Sequence, residues 1–321
     1  MNVKSLLLSA LAVLTLVSCG LGDNIKSDGS DDASYSDSIL LEETDIETAK
    51  ARIIAIEGKI SADDFAFPTK GTSKRKTTSK VNSSVESETI IDAVFDLDEN
   101  DPYLHVNRTD GSASATETWM YKAGGEYIAA YDVRTTDSSM SVASSKLVSK
   151  YTDSENFMLN IFKRAAAAAY VDSNSIFVTT HGAASEIMGV IGAKDTYDST
   201  PTMDCDYKFY LGEGEGDIKM VASVEGTYEG YYMWADMVVT IIDYLPVYFY
   251  QKSNGFDEVK VEASVITGDD DVLLAHPRRE ASNESNETTI IYEMIYDWGE
   301  IERTYPDISE FAVNSEAVSA A

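Results

Sequence analysis

Apolar and polar residues show two different periodicities along this chain, one typical of helices and one typical of strands. Between residues 39 and 60, isoleucine and alanine recur at helical spacing, with acidic residues between them. We predict a helix from Ile39 to Glu57 that ends at Gly58. A second helix is predicted from Asp153 to Tyr170, because FMLNIFKRAAAAAY joins five consecutive alanines to an apolar side.

From Thr89 onward most segments are short, rich in β-branched and aromatic residues, and separated by turn residues. WMYKAGGEYIAAYDV predicts a hairpin with Gly124 and Gly125 at its tip. The segment from Gly182 to Lys194 fits either a helix or a strand. The predicted strands are Ile91–Leu97, Tyr103–Val106, Thr116–Tyr121, Tyr127–Val133, Ser175–Thr180, Tyr207–Leu211, Ile218–Val224, Tyr228–Trp234, Val238–Ile242, Val247–Gln251, Glu258–Ile266 and Ile290–Tyr296.

This order of elements predicts one α+β domain over residues 39–311. Its expected architecture is a curved antiparallel sheet, a half-barrel, covered by a few helices. We predict polar loops at residues 61–88 and 269–288, and a disordered tail at 312–321. The first loop holds the chain's basic cluster, which is either solvated or in contact with an acidic partner. The cluster consists of Lys70, Lys74, Arg75, Lys76 and Lys80.

The first twenty residues carry a separate signal. Lys4 precedes an apolar run of about a dozen residues, too short for a bilayer core, which takes about 20 residues. The run ends in Leu16-Val17-Ser18-Cys19, which resembles the bacterial lipobox. The resemblance implies a signal peptide at residues 1–18 and a diacylglyceryl group on Cys19. The alternative is an ordinary signal peptide with an incidental cysteine.

Lipidation at Cys19 would anchor the chain without spanning the bilayer, since two acyl chains hold a protein stably. Residues 19–38 are polar, acidic and rich in glycine and serine, as in a flexible tether. The tether's reach is about 25 Å. We therefore predict a lipid-anchored protein on the extracytoplasmic side of a bacterial cell membrane or outer membrane.

Charge excludes one class of partner. The 321 residues carry a formal net charge of −30, which would repel the phosphates of DNA and RNA and the head groups of anionic lipids, so we also expect it to hold the domain off the membrane. Apolar residues make up 44% of the chain, enough for a sizeable core. Once Cys19 is acylated, Cys205 is the one remaining thiol, so an intramolecular disulfide is excluded.

Candidate catalytic and metal motifs fail on spacing. The alternate glycines of LGEGEGDIKMV are interleaved with acids and precede a strand, so a close approach of another element is favoured over a phosphate cradle. DLDENDP lacks the glycine and glutamate positions of an EF-hand, which favours a turn. The three histidines have no zinc spacing, and His105 is expected to be structural. We predict neither enzymatic activity nor a metal or cofactor.

Aromatic residues are dense from Tyr228 to Tyr250, and both faces of the predicted strands there are partly apolar. Such strands are either covered twice or line a cavity, and tyrosine and tryptophan suit an amphiphile. Plain core packing is the alternative. The candidate cavity-lining residues are Tyr228, Tyr232, Trp234, Tyr248, Tyr250, Phe157 and Phe162.

The segments WMYKAGGEYIAAYDV, YKFYLGEGEGDIKMVAS and DYLPVYFYQKSNG give the chain a likeness to half-barrel lipoproteins. These include the lipoprotein-localisation (LolA-like) carriers and the mycobacterial lipid-carrying lipoproteins. The resemblance implies a cavity between sheet and helices that holds a lipid. Our first hypothesis is a binding module for a lipid or other amphiphile. The alternative is a structural or interaction lipoprotein without a small-molecule ligand, and a secreted hydrolase is the least favoured class.

Overall fold

The computed structural model describes residues 41–313, except 82–83, 112, 137–141, 152–154, 199–202, 229–230 and 255–287. Within strands and helices, the side chains of residues 85, 142, 151, 155–159, 194–198, 227–228, 231–233 and 288 are also left undescribed. The predicted signal peptide, Cys19 and the tether therefore lie outside the described residues. So do the predicted strand Glu258–Ile266 and residues 269–287 of the second loop.

The described residues form three α-helices, thirteen strands and one short 3-10 turn. The helices are α1 (Ile46–Ile60), α2 (Glu155–Ala168) and α3 (Ser173–Asp198). The strands are β1 (Glu42–Thr44), β2 (Lys70–Val81), β3 (Ser84–Asp96), β4 (Tyr103–Asp110), β5 (Ser114–Ala123), β6 (Glu126–Thr136), β7 (Val142–Tyr151), β8 (Met203–Leu211), β9 (Ile218–Tyr228), β10 (Tyr231–Ile242), β11 (Leu245–Asn254), β12 (Thr288–Trp298) and β13 (Ala312–Val313).

All thirteen strands belong to one sheet, in the order β1-β8-β9-β10-β11-β12-β2-β3-β4-β5-β6-β7-β13. Two antiparallel meanders, β2 to β7 and β8 to β12, meet where β12 pairs with β2. Only β13 runs parallel to its neighbour, β7. The predicted α+β class is confirmed, while the sheet is open between β1 and β13 in the described part of the chain.

Helices α2 and α3 connect β7 to β8. Because these two strands lie near opposite edges of the sheet, the connection crosses nearly its whole width. Ten strand spacings at about 4.8 Å make a span of about 48 Å. Helices α2 and α3 have 14 and 26 residues, which gives about 60 Å of helix. Their combined length is therefore sufficient for the crossing.

A left-handed residue separates α2 from α3. Tyr170 has φ +61°, and the amide of Val171 donates to the carbonyl of Ala166 at 2.9 Å, as in a Schellman motif. Asp172 then caps α3 by accepting from the amide of Ser175. The stretch Asn160–Ala193 has the length and hydropathy of a membrane-spanning helix. It is broken at Tyr170 into two helices that pack on the sheet.

Side-chain alternation gives the sheet two faces. On the helix face, α1 and α3 pack over β8 to β12, while α2 and the start of α3 pack over β3 to β6. The opposite face, called the open face here, carries no helix among the described residues. Its β4 to β7 part is covered by residues 301–311, whose Ile301, Ile308 and Phe311 pack against the buried cluster that includes Trp119 and Val148.

The first helix and the basic loop differ from their predictions. Helix α1 begins at Ile46, because Asp45 caps it and Glu42–Thr44 pair with β8 instead. It continues through Gly58 to Ile60. Residues 70–81, predicted as part of a loop, form the central strand β2, which ladder hydrogen bonds to β3 and β12 specify.

Three further differences concern the second half of the chain. Residues 175–180, predicted as a strand, lie in α3, which also takes up the ambiguous segment 182–194. The predicted strand Tyr228–Trp234 is a hairpin, since Tyr231 pairs with Tyr228. Strand β7 was not predicted, and Ala312 and Val313, expected in the tail, pair with it.

Two adjacent isoleucines of α1 test the packing of this helix. Ile53 is fully buried against α3 and the sheet, whereas Ile54 is 56% exposed. We expect Ile53→Ala to lower the unfolding free energy by about 2–5 kcal/mol, because it leaves a cavity. Ile54→Ala should change it by about 0.5 kcal/mol or less. Urea denaturation measures both, and equal losses would contradict the observed orientation of α1.

Candidate functional site

A pocket of about 480 Å³ lies on the open face, where β12, β2, β3 and β4 adjoin. Cross-strand pairing arranges its side chains in two rows. One row runs Ile295, Lys74, Asp92 and Asn107, and the other runs Asp297, Thr72, Val94 and His105. The pocket thus combines an apolar part with charged and amide groups, all projecting from strands.

Opposite charges meet near the middle of the pocket. Lys74 of β2 is the cross-strand neighbour of Asp92 of β3, and both are half-buried. Burial raises the pKa of the Asp92 carboxyl, while the charges of Lys74 and Lys76 act in the opposite direction. This arrangement offers a ligand both an ammonium donor and a carboxylate acceptor.

His105 forms one wall of the pocket and is held on three sides. Its Nε2 lies 2.9 Å from Oε1 of Glu117, and its Nδ1 lies 3.3 Å from Oγ1 of Thr304. Its ring stacks on Trp119 with centroids 5.0 Å apart. The structural role predicted for His105 is confirmed, because both ring nitrogens have partners and the ring is packed.

Beyond Ile295, the pocket adjoins the open-face aromatic strip, which consists of Trp234, Tyr248 and Tyr250. The hydroxyl of Tyr248 donates to Oε1 of Glu293 at 3.1 Å. Burial and the Glu293 charge raise the pKa of Tyr248, so its proton stays in place at neutral pH. The ammonium of Lys252 lies 5.4 Å from the ring centroid of Trp234. The strip therefore presents half-buried rings with polar tips.

The sheet separates the predicted cavity-lining residues. Trp234, Tyr248 and Tyr250 share the open face, as the pairing of β10, β11 and β12 requires. Phe162 of α2 is buried in the core on the helix face. A single cavity lined by these four residues is therefore wrong, because a layer of backbone lies between Phe162 and the other three.

The remaining three cavity candidates cannot be assigned to either face. The side chains of Phe157, Tyr228 and Tyr232 lie outside the described ones. Their backbone places Phe157 in α2, Tyr228 at the end of β9 and Tyr232 near the start of β10. The alternation that put Tyr228 and Tyr232 on one strand is wrong, since the chain reverses between them.

The glycine-rich stretch forms a tight connection between β8 and β9. The Asp217 carboxylate accepts from the amides of Gly214 at 3.0 Å and Asp243 at 2.9 Å. A Cβ on Gly216 would collide with the backbone of Tyr244. Arg52 of α1 donates to the carbonyls of Gly214 and Asp217. The expected close approach is confirmed, although it occurs in a turn and not along a strand.

The acidic stretch Asp96–Pro102 is a turn, as expected. The carboxylate of Asp98 accepts from the amide of Asn100 at 2.9 Å. Arg303 donates to carboxylate oxygens of Asp96 and Asp101 at 2.9 and 2.7 Å. These ion pairs tie the segment after β12 to the β3–β4 turn.

The basic cluster is divided between the two faces of β2. Lys74 and Lys76 point to the open face, and Lys70 pairs with Glu300 at 2.7 Å. Arg75 points to the helix face, where its Cζ lies 3.6 Å from the ring centroid of Tyr170 and 4.9 Å from that of Tyr292. The solvated-loop interpretation is therefore wrong for these residues.

Sequence reasoning did not identify the pocket as a site. Asp92, Asn107, Ile295 and Asp297 were not proposed as ligand contacts, and Lys74 was named only as part of a charge cluster. One partial signal was available in β3, where Asp92 and Asp96 alternate with the apolar residues Ile91, Ala93 and Phe95. The pairing of β2 with β12, over 200 residues away, has no such signal.

One acid is buried within α3. Glu186 is 7% exposed, and burial raises the pKa of its carboxyl to about 7. The folded state therefore binds this proton more tightly than the unfolded chain, where the carboxyl has its ordinary pKa of 4.5. Stability is fullest below that value and falls as the pH rises toward 7.

Glu186→Gln should remove this dependence. The difference in pKa corresponds to about 3 kcal/mol of unfolding free energy that the native protein loses between acid and pH 8. We expect the variant to be more stable than the native protein at pH 8, with a smaller gain near pH 4.5. Urea denaturation at both pH values checks this. Glu302→Gln, which removes an exposed charge, is the matched control, and an equal gain there would indicate only reduced net charge.

Comparisons with protein-family models, curated proteins and solved structures found no match. Among the described residues, no group of three or more His, Cys, Asp or Glu side chains could hold a metal ion. The half-barrel resemblance therefore stays a prediction, and the geometry of the open face is the basis for a functional proposal.

Proposed function

We propose that this chain is a lipid-anchored extracytoplasmic binding protein whose open-face pocket takes a lipid or other amphiphilic ligand. The anchor part rests on residues 1–19, where a positive start, an apolar run, a small residue and a cysteine occur in lipobox order. The binding part rests on the pocket. The proposal is non-enzymatic, as the sequence predicts, and gives His105, which contacts Glu117 and Thr304, a structural role.

The observation that carries the proposal is the mixed chemistry of a preformed concavity. Its volume of about 480 Å³ lies within the range of about 300–1,000 Å³ usual for small-molecule sites. Val94 of β3 and Ile295 of β12 supply apolar surface, and Lys74, Asp92 and Asn107, consecutive members of one row, supply polar groups. An amphiphile would place its apolar body on the former and its head group on the latter.

The proposed ligand site is therefore on the open face, whereas the sequence predicted a cavity between the sheet and the helices. On the helix face, α1, α2 and α3 fill the space with their own side chains, including Ile53, Ile187 and Phe162. On the open face, the aromatic strip extends the pocket toward β10. Half-buried rings with polar tips suit the boundary between apolar and polar parts of a ligand.

Cys19→Ser tests the anchor. Without the thiol no thioether to a diacylglyceryl group can form, so we expect the variant to leave the membrane fraction and appear in the soluble extracytoplasmic fraction. The native chain should carry the added mass of the lipid on Cys19, measured by mass spectrometry. Cys205→Ser is the matched control and should stay membrane-bound. Retention of both variants in the membrane would contradict lipidation at Cys19.

Lys74→Gln tests the pocket. With dansyl-undecanoic acid as the probe, we expect saturable binding to the native protein by fluorescence titration. Loss of the ammonium should weaken binding by about tenfold or more, because a charged hydrogen bond contributes about 1.5–3 kcal/mol. Lys208→Gln, exposed on strand β8 outside the pocket, should leave the affinity unchanged. Equal weakening in both variants would indicate nonspecific attraction to positive charge.

A second function is favoured by one observation, the half-buried rings of Trp234, Tyr248 and Tyr250 on a face without a helix. Aromatic residues of this kind are enriched at protein interfaces. If native mass spectrometry after incubation with lipid extract finds no bound lipid, and the probe does not bind, the open face would then be an interaction surface for another protein.

A further inference from the structure

The negative charge of this protein is unevenly distributed over the described surface. The chain has 55 acidic residues against 25 basic ones. Among the described side chains of the helices and of the turn between α2 and α3, which leave out Glu155, Lys194, Asp195 and Asp198, the exposed charged residues are few and mostly basic. They are Glu47, Lys50, Lys59, Lys163 and Arg164. Exposed acids resume at Asp63, past the end of α1.

Helix α3 accounts for most of this uncharged surface. From Ser173 to Ala193 its one charged residue is Glu186, which is buried and whose pKa burial raises to about 7. Its outward side exposes Phe177 to 45% and Val178 to 57%. Exposed large apolar side chains are unusual beside an otherwise highly charged surface.

Helix α1 continues the same surface, since α1 packs directly against α3. Its outward residues include Ile54, 56% exposed, flanked by Lys50 and Lys59. On α2, Arg164 is exposed, and Lys163 pairs with Glu99 at 2.8 Å. Exposed apolar side chains accompanied by exposed cations are typical of helices that lie in the interface of an anionic bilayer.

We propose that the outer side of the helix layer, formed by α1, α2 and α3, rests on the anionic lipid bilayer that carries the anchor. The inference rests on the proposed lipid anchor for its biological setting. Apolar contact comes from Ile54, Phe177 and Val178, and attraction from Lys50, Lys59 and Arg164. The open face with its pocket then points away from the membrane.

Because salt screens electrostatic interactions, the charge on the protein face nearest the bilayer determines whether the bilayer attracts the protein. At physiological ionic strength the Debye length is about 8 Å, so a bilayer responds mainly to the protein face nearest to it. The acids elsewhere on the molecule repel the head groups in other orientations. The acids outside the helix layer therefore disfavour other orientations and favour the one in which the helix layer faces the bilayer.

The start of the described chain fits this orientation. Strand β1 pairs with β8 beside the edge of the sheet and leads through Asp45 directly into α1. Residues 20–40 separate this point from Cys19. The flexible tether that their composition predicts has a reach of about 25 Å, enough for the helix layer to contact the bilayer.

Fluorophore labelling tests the orientation in the acylated full chain. In a Cys205→Ser background, a fluorophore is attached at Val178→Cys or, as the matched control, at Val221→Cys on the open face. The protein is reconstituted into vesicles of phosphatidylethanolamine and phosphatidylglycerol that contain doxyl-labelled phospholipid. We expect at least threefold stronger quenching at position 178 than at 221. Equal quenching at the two positions would overturn the proposal.

Charge reversal provides a second, independent test of the proposed orientation. Arg164→Glu should reduce quenching at position 178 by at least twofold, whereas Lys208→Glu, on the open face, should not. Equal effects would mean that overall charge and not the helix layer governs the approach. Shielding of position 178 without vesicles, together with a doubled mass by light scattering, would overturn the proposal in favour of a second copy of this chain.

Mass spectrometry separates failure of the anchor from failure of this inference. If Cys19 is acylated and quenching is equal, only the orientation is wrong. If Cys19 is not acylated, the anchor is wrong, and co-sedimentation with vesicles tests the surface directly. The unacylated chain should then be retained at least fivefold better by phosphatidylglycerol vesicles than by phosphatidylcholine vesicles, and equal retention would overturn the inference.

Discussion

The pairing of β12 with β2 is the interaction on which the rest of the structure depends. It joins a strand from the first quarter of the chain to one near the end, from Thr288 opposite Val81 to Trp298 opposite Gly71. Without it the two meanders would be separate sheets, each with an exposed long edge. Backbone approach is so close that a Cβ on Gly71 would collide with the carbonyl of Asp297. The pocket is a product of this junction, since Lys74 and Ile295 face it from the two strands.

The same junction dictates where the helices lie. Because β2 and β12 occupy the centre, β7 and β8 are placed near opposite edges, and the connection between them must cross the sheet. Helices α2 and α3 make that crossing on one face and bury its apolar side chains. Among the described residues, the other face receives the segment after β12, which packs against the cluster that includes Trp119 and Val148 but leaves the region around Lys74 open. One-sided cover thus separates a packed face from the face that carries the pocket.

Local patterns in the sequence predicted the α+β class, the hairpin at Gly124-Gly125 and most strands of the two meanders. They failed where the structure is set by distant partners. Residues 175–180 are rich in β-branched side chains, yet Asp172 caps a helix there and Ile176 is buried in the core beneath it. Strand β2 has almost no apolar residues, and its conformation depends on β3 and β12, which hydrogen bond to it on both sides. The two rows of the pocket share this origin, because the register between β2 and β12 has no local signature.

The net charge of −30 alone predicts a domain held away from anionic lipid. The fold, however, distributes this charge unevenly over the surface. Helix α3 must cross the sheet in contact with other elements, which favours small and apolar residues along it and leaves little room for charge. Between Ser173 and Ala193 its single acid, Glu186, is buried where its proton is retained to about pH 7, so this stretch stays close to neutral in mildly acidic surroundings. Among the described residues, exposed acids are consequently concentrated on strands, turns and the segments beyond the helices. The crossing that the central pairing imposes therefore also divides the surface into a weakly charged helix side and a strongly acidic remainder.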